Sequence, residues 1–426
     1  MSASLPRSLS LRWFPALAAL FALLCLPLLF SPGESNYTWD ETSYHLPAVR
    51  QIRTHWPRLD VLHDSLSATA PGYHYFLAGV SFLTGTGRQA LRLVNFAVSL
   101  GLLGLLWKFW PAGYSPRLAC LAVFPLAASN FFVKSASWVV TDNAALLAIA
   151  GALGALFFVP ARSGLPWSSG LAAAAVCIRQ SGVWLVAPLC VCLLGKDQSR
   201  LRLLLLAPPL LALAWLVVAW HGLVPPDWQE SHQAGAGLVP AAGTYALAVL
   251  ALLGMAYYAA GRPPAWKDDL FSPWTGLGAL AGLGVALGGP NVPAYAEGRW
   301  GGYLWVVAGH LPAVGAYSLL FLLLAPAGGA LLAMLGRRLW LEAGASAALA
   351  WFAAYACWFA TGLSNRQVYH RYFEPVTLVL LICWLALLAR ARPPTEPRRT
   401  TPLAVLGSLQ LALTLVTAYG RTFGLL

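Results

Sequence analysis

Two adjacent carboxylates, Asp40 and Glu41, lie shortly after an apolar run at 13–30, and His45 follows Glu41 by four residues. A carboxylate held near a membrane face, partly desolvated, can take the proton of a sugar hydroxyl. If the segment is helical, Glu41 and His45 share one side. The same residues also fit a solvated loop that caps a helix, with Thr38 or Asp40 at the N-cap. Further along stand cations suited to gripping a phosphate, which arginine does with two parallel hydrogen bonds: Arg179, Arg299, Arg366 and Arg371. Arg179 is the sharpest of these, because it interrupts two apolar runs at 168–178 and 182–195, where an unpaired charge is costly. A snorkelling side chain at a helix end is the structural alternative. Asp142 heads the apolar run 143–160, either as a cap or as the carboxylate that pairs with Arg179 or supports Asp40.

The elements that must position these groups are helices in a bilayer. Of 426 residues, 59% are apolar and 10% charged, whereas a soluble protein of this size is about a quarter charged. That excludes a soluble enzyme and a disordered chain. Apolar runs recur at 13–30, 93–107, 117–130, 143–160, 168–178, 182–195, 203–220, 243–260, 274–289, 314–335, 345–361, 375–390 and 402–418. The expectation is an all-α polytopic bundle of about 13 spans, within 11–14, forming a single domain over 1–426. The break at 179–182 reads as a tight turn or a re-entrant pair. Residues 71–87, short and rich in glycine and aromatics, read as an interfacial helix. No repeat is detectable.

The net charge of +12 sets the orientation. With 71–87 lying on the surface, Arg7, Arg12, Lys108, Arg117, Arg162, Lys196, Arg200, Arg202, Arg262, Lys267, Arg337, Arg338, Arg390, Arg392, Arg398 and Arg399 all fall on one side. The positive-inside rule makes that side cytoplasmic and carries no evidence of nucleic acid. The opposite face then receives the segments 31–70, 131–142, 179–181, 221–242, 290–313 and 362–374, with ten of the fifteen acids. Arginine far outnumbers lysine, a bias of GC-rich genomes, so the expected setting is a bacterial inner membrane. The seven cysteines lie in or beside apolar runs, and no disulfide framework or metal-site spacing is evident.

Beyond the carboxylate pair, the sequence resembles the GT-C glycosyltransferases, polytopic enzymes that use polyprenyl-phosphate sugars. Trp39-Asp40-Glu41-Thr42-Ser43-Tyr44-His45-Leu46-Pro47 is similar to the D-E-x-x-H-x-P-Q segment of the dolichyl-phosphate-glucose α-1,2-glucosyltransferases. Ala70-Pro71-Gly72-Tyr73 resembles their T-P-P-G-L-Y, Val139-Val140-Thr141-Asp142 their Y-Y-T-D-T, and Cys177-Ile178-Arg179-Gln180-Ser181 their F-R-Q-T-N. The stretch Val307–Pro312, with His310, loosely resembles a G-D-x-x-x-H segment but lacks its acid. Arg371-Tyr372-Phe373-Glu374-Pro375 looks like the R-Y-x-x-P start of a late helix in GT-C enzymes more broadly. The resemblance covers roughly the first 185 residues and is weak beyond them.

It implies a distant bacterial relative that moves glucose, or another hexose or pentose, from a polyprenyl-phosphate donor. The acceptor would be a hydroxyl of a glycan, lipid or protein at the outer face. Asp40 would be the base. Glu41 and His45 would orient Asp40 or the acceptor, from an external catalytic loop at about 31–92. Arg179 and Arg371 would stabilise the departing phosphate. Tyr73, Asp142, Gln180, His310 and Tyr372 complete the expected donor and substrate contacts. Configuration would invert, and neither cofactor nor metal is called for. Membrane lipids are the expected surroundings and nucleic acid no partner. A secondary transporter or lipid flippase is the alternative from another class. It would call for inverted repeats and mid-membrane charges, of which Arg179 is the one candidate. An enzyme using a lipid-diphosphate donor is a third reading, although such enzymes carry a large late loop, whereas here the largest comes first.

Overall fold

The computed structural model describes residues 7–32, 36–58, 60, 66–111, 114–194, 200–232, 237–261, 266–296, 298–391 and 399–423. The predicted cations Lys196, Arg262, Arg392 and Arg398 lie outside the described residues. The chain is helical almost throughout. The first half comprises α1 Arg7–Phe30, α2 Asn36–Asp40, a π turn Glu41–His45, α3 Leu46–His55, α4 Gly72–Thr84 and α5 Arg88–Lys108. It continues through α6 Pro116–Ala127, α7 Asn130–Ser137, α8 Asp142–Phe158, α9 Ala161–Ile178, a 3₁₀ turn Gln180–Leu185, and α10 Val186–Leu193. The second half holds α11 Ala207–Trp220, α12 Gln229–His232, α13 Pro240–Ala260, α14 Trp266–Leu270, α15 Pro273–Leu287, α16 Tyr303–His310, α17 Leu319–Ala343, α18 Ala345–Leu363, α19 His370–Ala391, α20 Thr401–Thr414 and α21 Gly420–Thr422. Four two-residue strands are β1 Trp300–Gly301, β2 Ala313–Val314, β3 Tyr317–Ser318 and β4 Val368–Tyr369.

Among the described residues, eight helical segments are long and apolar enough to cross a membrane, as in an integral multi-pass membrane protein, and the α6–α7 pair makes up to nine. Three more apolar helical segments, 142–158, 180–193 and 273–287, are shorter. Several boundaries differ from those expected. The run 117–130 is bent by 72° at Ala128–Ser129, where the Ser129 hydroxyl caps α7. Helix α9 starts at Ala161 rather than 168, directly after Pro160, and takes Pro166 into its second turn. Helix α17 runs on to Ala343, because Arg337 and Arg338 in its last turns pair with the buried Asp269.

Two helices form the axis of the bundle. The apolar stretches of α13 and α19 are 83% and 89% buried, against 17–39% for the other six segments. Those six keep leucines such as Leu23, Leu204, Leu211 and Leu323 on the outside, as lipid-facing helices must. Small residues let backbones approach where no hydrophobic force drives helices together. The clearest case is α15 against α17. A side chain on Gly329 would run into the Gly278 carbonyl, and one on Gly282 into the Ala325 carbonyl.

Contacts between distant segments define the two ends of the bundle. At one end, Arg92 donates to the carbonyls of Leu29 and Ser31, Glu41 accepts from the Val139 amide, and the Val239 amide donates to the Leu363 carbonyl. Strand β1 pairs in parallel with β4, drawing the 290–313 link onto 362–374. The described parts of the six links expected to share a face gather here. At the other end, Arg390 reaches the Phe109 carbonyl, and Arg337 and Arg338 enclose Asp269.

The glycine seam gives a direct test. Gly329→Leu should lower the thermal midpoint of the purified protein in detergent, at about 1–3 kcal/mol for overpacking. Gly276→Leu, with nothing within 4 Å of the added Cβ, should leave it unchanged. Equal effects of the two would remove the seam from the account.

Candidate active site

The site is built from two carboxylate–arginine pairs around one tyrosine. Asp40 ends α2, and its Oδ2 accepts from Arg371 Nη1 at 2.7 Å. Arg371 is the second residue of α19, and the β1–β4 pairing fixes the chain just before it. That approach is close: Gly302 has φ +128, and any side chain there would meet His370 Cβ. Three aromatic rings surround the Arg371 guanidinium: Tyr37 at 5.2 Å, Tyr369 at 5.7 Å and Tyr372 at 5.1 Å from the ring centroids. Arg371 Nη2 also donates to the Tyr372 hydroxyl, 3.2 Å, which itself donates to Gln367 Oε1. A cage of this kind fixes an arginine and leaves its charge available, each ring contributing roughly 0.5–2 kcal/mol.

The second pair shares Tyr372. Arg179 Nη2 lies 3.1 Å from Asp142 Oδ2, and its Nε donates to the Thr141 hydroxyl at 3.1 Å. Its guanidinium stands 5.6 Å from the Tyr372 ring. Asp142 is the first residue of α8, where the helix dipole favours a carboxylate. Thr141 makes no side-chain cap, so the capping alternative gives way to the ion pair. Arg179 has extended backbone between α9 and the 3₁₀ turn, which turns its side chain away from the helix ends and across to α8. The neighbouring Gln180 accepts from the Ala70 amide and donates to the Ala68 carbonyl, tying the end of the first polar loop to this break.

A cavity of about 290 Å³ opens beside the pairs. Its polar part includes Asp142, Arg179, Gln180, Gln367, Arg371 and Tyr372. Its deeper wall is apolar, with Leu146, Ile149, Trp184, Leu213, Trp358 and Val376. Five of the expected site residues, Asp142, Arg179, Gln180, Arg371 and Tyr372, therefore line one chamber. Asp40 adjoins it through Arg371.

The other four expected residues do not line it. Glu41 is fully buried, taking Arg92 Nε at 2.7 Å and Nη2 at 2.5 Å, with the Val139 amide at 3.0 Å. A carboxylate so saturated latches the first loop to α5 and cannot exchange protons with a substrate. Glu41 and His45 do share a side across the π turn over 41–45, but that side is the buried one, so the spacing brings neither to the chamber. His45 is also buried, with Nδ1 2.7 Å from His74 Nε2 and the two rings stacked. One ring must donate and the other accept, so the two cannot both be protonated. Burial first, then the facing His74 and the cations Arg179 and Arg371, hold His45 well below its usual pKa. Burial lowers His74 to about 4. Tyr73 is buried, donating to Asn95 Oδ1 at 2.7 Å. His310 is exposed at the end of α16, away from the cavity.

Three contributors escaped the sequence reading. His232, in the 221–242 link, lines the cavity, and its pKa is lowered, chiefly by burial and also by Arg299, Arg371 and Arg179. Gln367 and the ring of Tyr37 were also missed. The usable signal was the run of aromatics around each arginine, which looks the same as an interfacial belt. Among the described residues no three His, Cys, Asp or Glu side chains converge as a metal-ligand group.

Two outcomes follow. Glu41→Gln should cost about 3–5 kcal/mol by leaving Arg92 unpaired, seen as a lowered thermal midpoint, while Asp40→Asn, at a partly exposed pair, should move the midpoint little. The histidine pair adds a pH term. Its folded-state pKa values lie below the unfolded value of about 6.5, so the stability it contributes is present near neutrality and lost as pH falls from about 6.5 towards 4. His74→Gln should flatten that part of a midpoint-versus-pH profile, and an unchanged slope would exclude the pair as its source. No protein-family model, no curated protein and no solved structure matches this chain.

Proposed function

We propose that the chain is a GT-C-like glycosyltransferase that moves a sugar from a polyprenyl phosphate to an acceptor hydroxyl at the outer membrane face. The observation that carries this reading is the chamber itself: two arginines at its polar end, an apolar wall running deeper, and a carboxylate on the far side of one arginine. A lipid phosphate asks for that combination, since its head is anionic and its tail must stay in hydrocarbon. Eight to nine helical segments among the described residues can cross the bilayer, and in this reading the positive-inside rule puts the basic end in the cytoplasm.

In this reading the donor phosphate takes hydrogen bonds from Arg371 and Arg179 in place of the two carboxylates. Seating the donor thereby frees Asp40. Asp40 accepts the proton of the acceptor hydroxyl, the acceptor oxygen bonds to the anomeric carbon, and the bond from that carbon to the phosphate oxygen breaks. The polyprenyl phosphate leaves with the bonding electrons, its charge held by the arginines. Attack from the opposite face inverts configuration, as the resemblance implies. Asp142 returns to Arg179 when the lipid departs, and Glu41 acts only by fixing the helix that carries Asp40.

A second reading rests on a different feature. The span broken at Ala128–Ser129 has the buried Glu374 accepting from the Ser129 hydroxyl, and Glu374 also pairs with His370 Nε2 at 2.6 Å. Broken helices with a buried carboxylate are also how transporters build their sites. Transfer from polyprenyl-phosphate glucose, mannose and arabinose should be measured alongside lipid-linked-sugar flux in proteoliposomes. Asp40→Asn should lower transfer by about 10²-fold or more while the protein stays folded and retains donor. Transfer that survives in this variant removes Asp40 as base. Flux with no transfer from any donor favours the transporter.

A further inference from the structure

An apolar groove lies on the opposite face of α8 from the chamber. Ala145, Leu146 and Ile149 of this helix line the chamber, whereas Leu147, Gly151, Gly154 and Phe158 line an apolar groove of about 680 Å³. The groove also takes in parts of α4, α5 and α9, among them Phe76, Val98, Trp167 and Leu171. From Ala144 to Val159 it follows α8 for about 22 Å at 1.5 Å per residue, most of the roughly 30 Å hydrocarbon thickness. A groove at that depth in a bilayer is filled by hydrocarbon chain.

What distinguishes this groove is its mouth at the basic end. Lys108, the last residue of α5, and Arg390, in the last turn of α19, both line it. Arg390 is held in place: its Nε donates to the Phe109 carbonyl at 3.3 Å, and its guanidinium lies 4.6 Å from the Phe158 ring. Among the described residues no carboxylate lines the groove and neither cation makes an ion pair. This contrasts with the chamber, where both arginines are paired. Two cations converging without an acid, at the level where lipid phosphates lie, form an anion site continuous with a chain-shaped slot.

We propose that this groove binds one anionic phospholipid of the leaflet at the basic end, its phosphate between Lys108 and Arg390 and an acyl chain along Gly151 and Leu171. This site is independent of the glycosyl-transfer reading. It predicts that the full-length protein, purified in detergent and supplied with phosphatidylglycerol or phosphatidylcholine, retains phosphatidylglycerol in preference by about tenfold in native mass spectrometry. Lys108→Gln with Arg390→Gln should abolish the preference. Arg202→Gln with Arg399→Gln, which removes the same charge from elsewhere among the predicted cytoplasmic cations, should preserve it. In the unaltered protein, raising salt from 50 to 500 mM should erode the preference, because a phosphate at a membrane surface is screened. That arm stands even if the double variant fails to fold. Equal retention of the two lipids, equal loss in both double variants, or a preference indifferent to salt overturns the proposal.

Discussion

A guanidinium near the end of an apolar bundle must find an anion, and in this protein that requirement joins segments far apart in the chain. Arg92 takes Glu41, Arg179 takes Asp142, and Arg371 takes Asp40. These pairs draw the first polar loop onto α5, α8 onto α9, and the first loop onto the start of α19. The rest of the polar end follows from them. Gln180, next to Arg179 at the break between α9 and the 3₁₀ turn, reaches Ala68 and Ala70 from the same place. The β1–β4 pairing and Gly302 then hold α19 at the register that presents Arg371 to Asp40.

The three pairs differ in how tightly they are enclosed, and that difference separates a fixed latch from pairs able to exchange partners. Glu41 and Arg92 are wholly buried, with both carboxylate oxygens engaged. Breaking such a pair leaves a bare charge in a medium of low dielectric, so it behaves as a latch. The Asp40–Arg371 side chains keep 20% and 18% of their surface, and Asp142–Arg179 keep 10% and 22%. Pairs that retain some water can exchange partners at modest cost. A phosphate arriving at Tyr372 would meet two cations whose carboxylates can yield, which gives binding and release comparable weight.

Much of this was legible from residue types. Asp142 with Arg179, and Arg371 with Tyr372, were recognisable as an acid and cations at the ends of apolar runs on a shared face, and the alternation of runs and basic links gave the shared face itself. Glu41 misled because adjacent carboxylates look equivalent in a sequence, while neighbours on a helix point about 100° apart, so one enters the core and the other stays beside the chamber. His45 and Tyr73 misled similarly: polar residues close to a site are often the ones that satisfy its scaffold. His310 lay on a resemblance already weakened by a missing acid. His232 was overlooked because its contact with the chamber depends on how the short turn and helix over 226–232 pack, and this stretch carries no periodic signal.

The sequence by itself determined that the chain is helical and made for a membrane, which residues share an end, and which end carries the excess cations. These follow from apolar run length and charge position, which are additive along the chain. Only the tertiary structure decided which carboxylate each arginine takes, because pairing depends on the rotation of each helix about its axis. A rotation of one residue, about 100°, exchanges a buried face for an exposed one. That angle is set by side-chain packing across the whole bundle, by the axial helices α13 and α19 and by the glycine contacts of α15 with α17, and no local stretch encodes it.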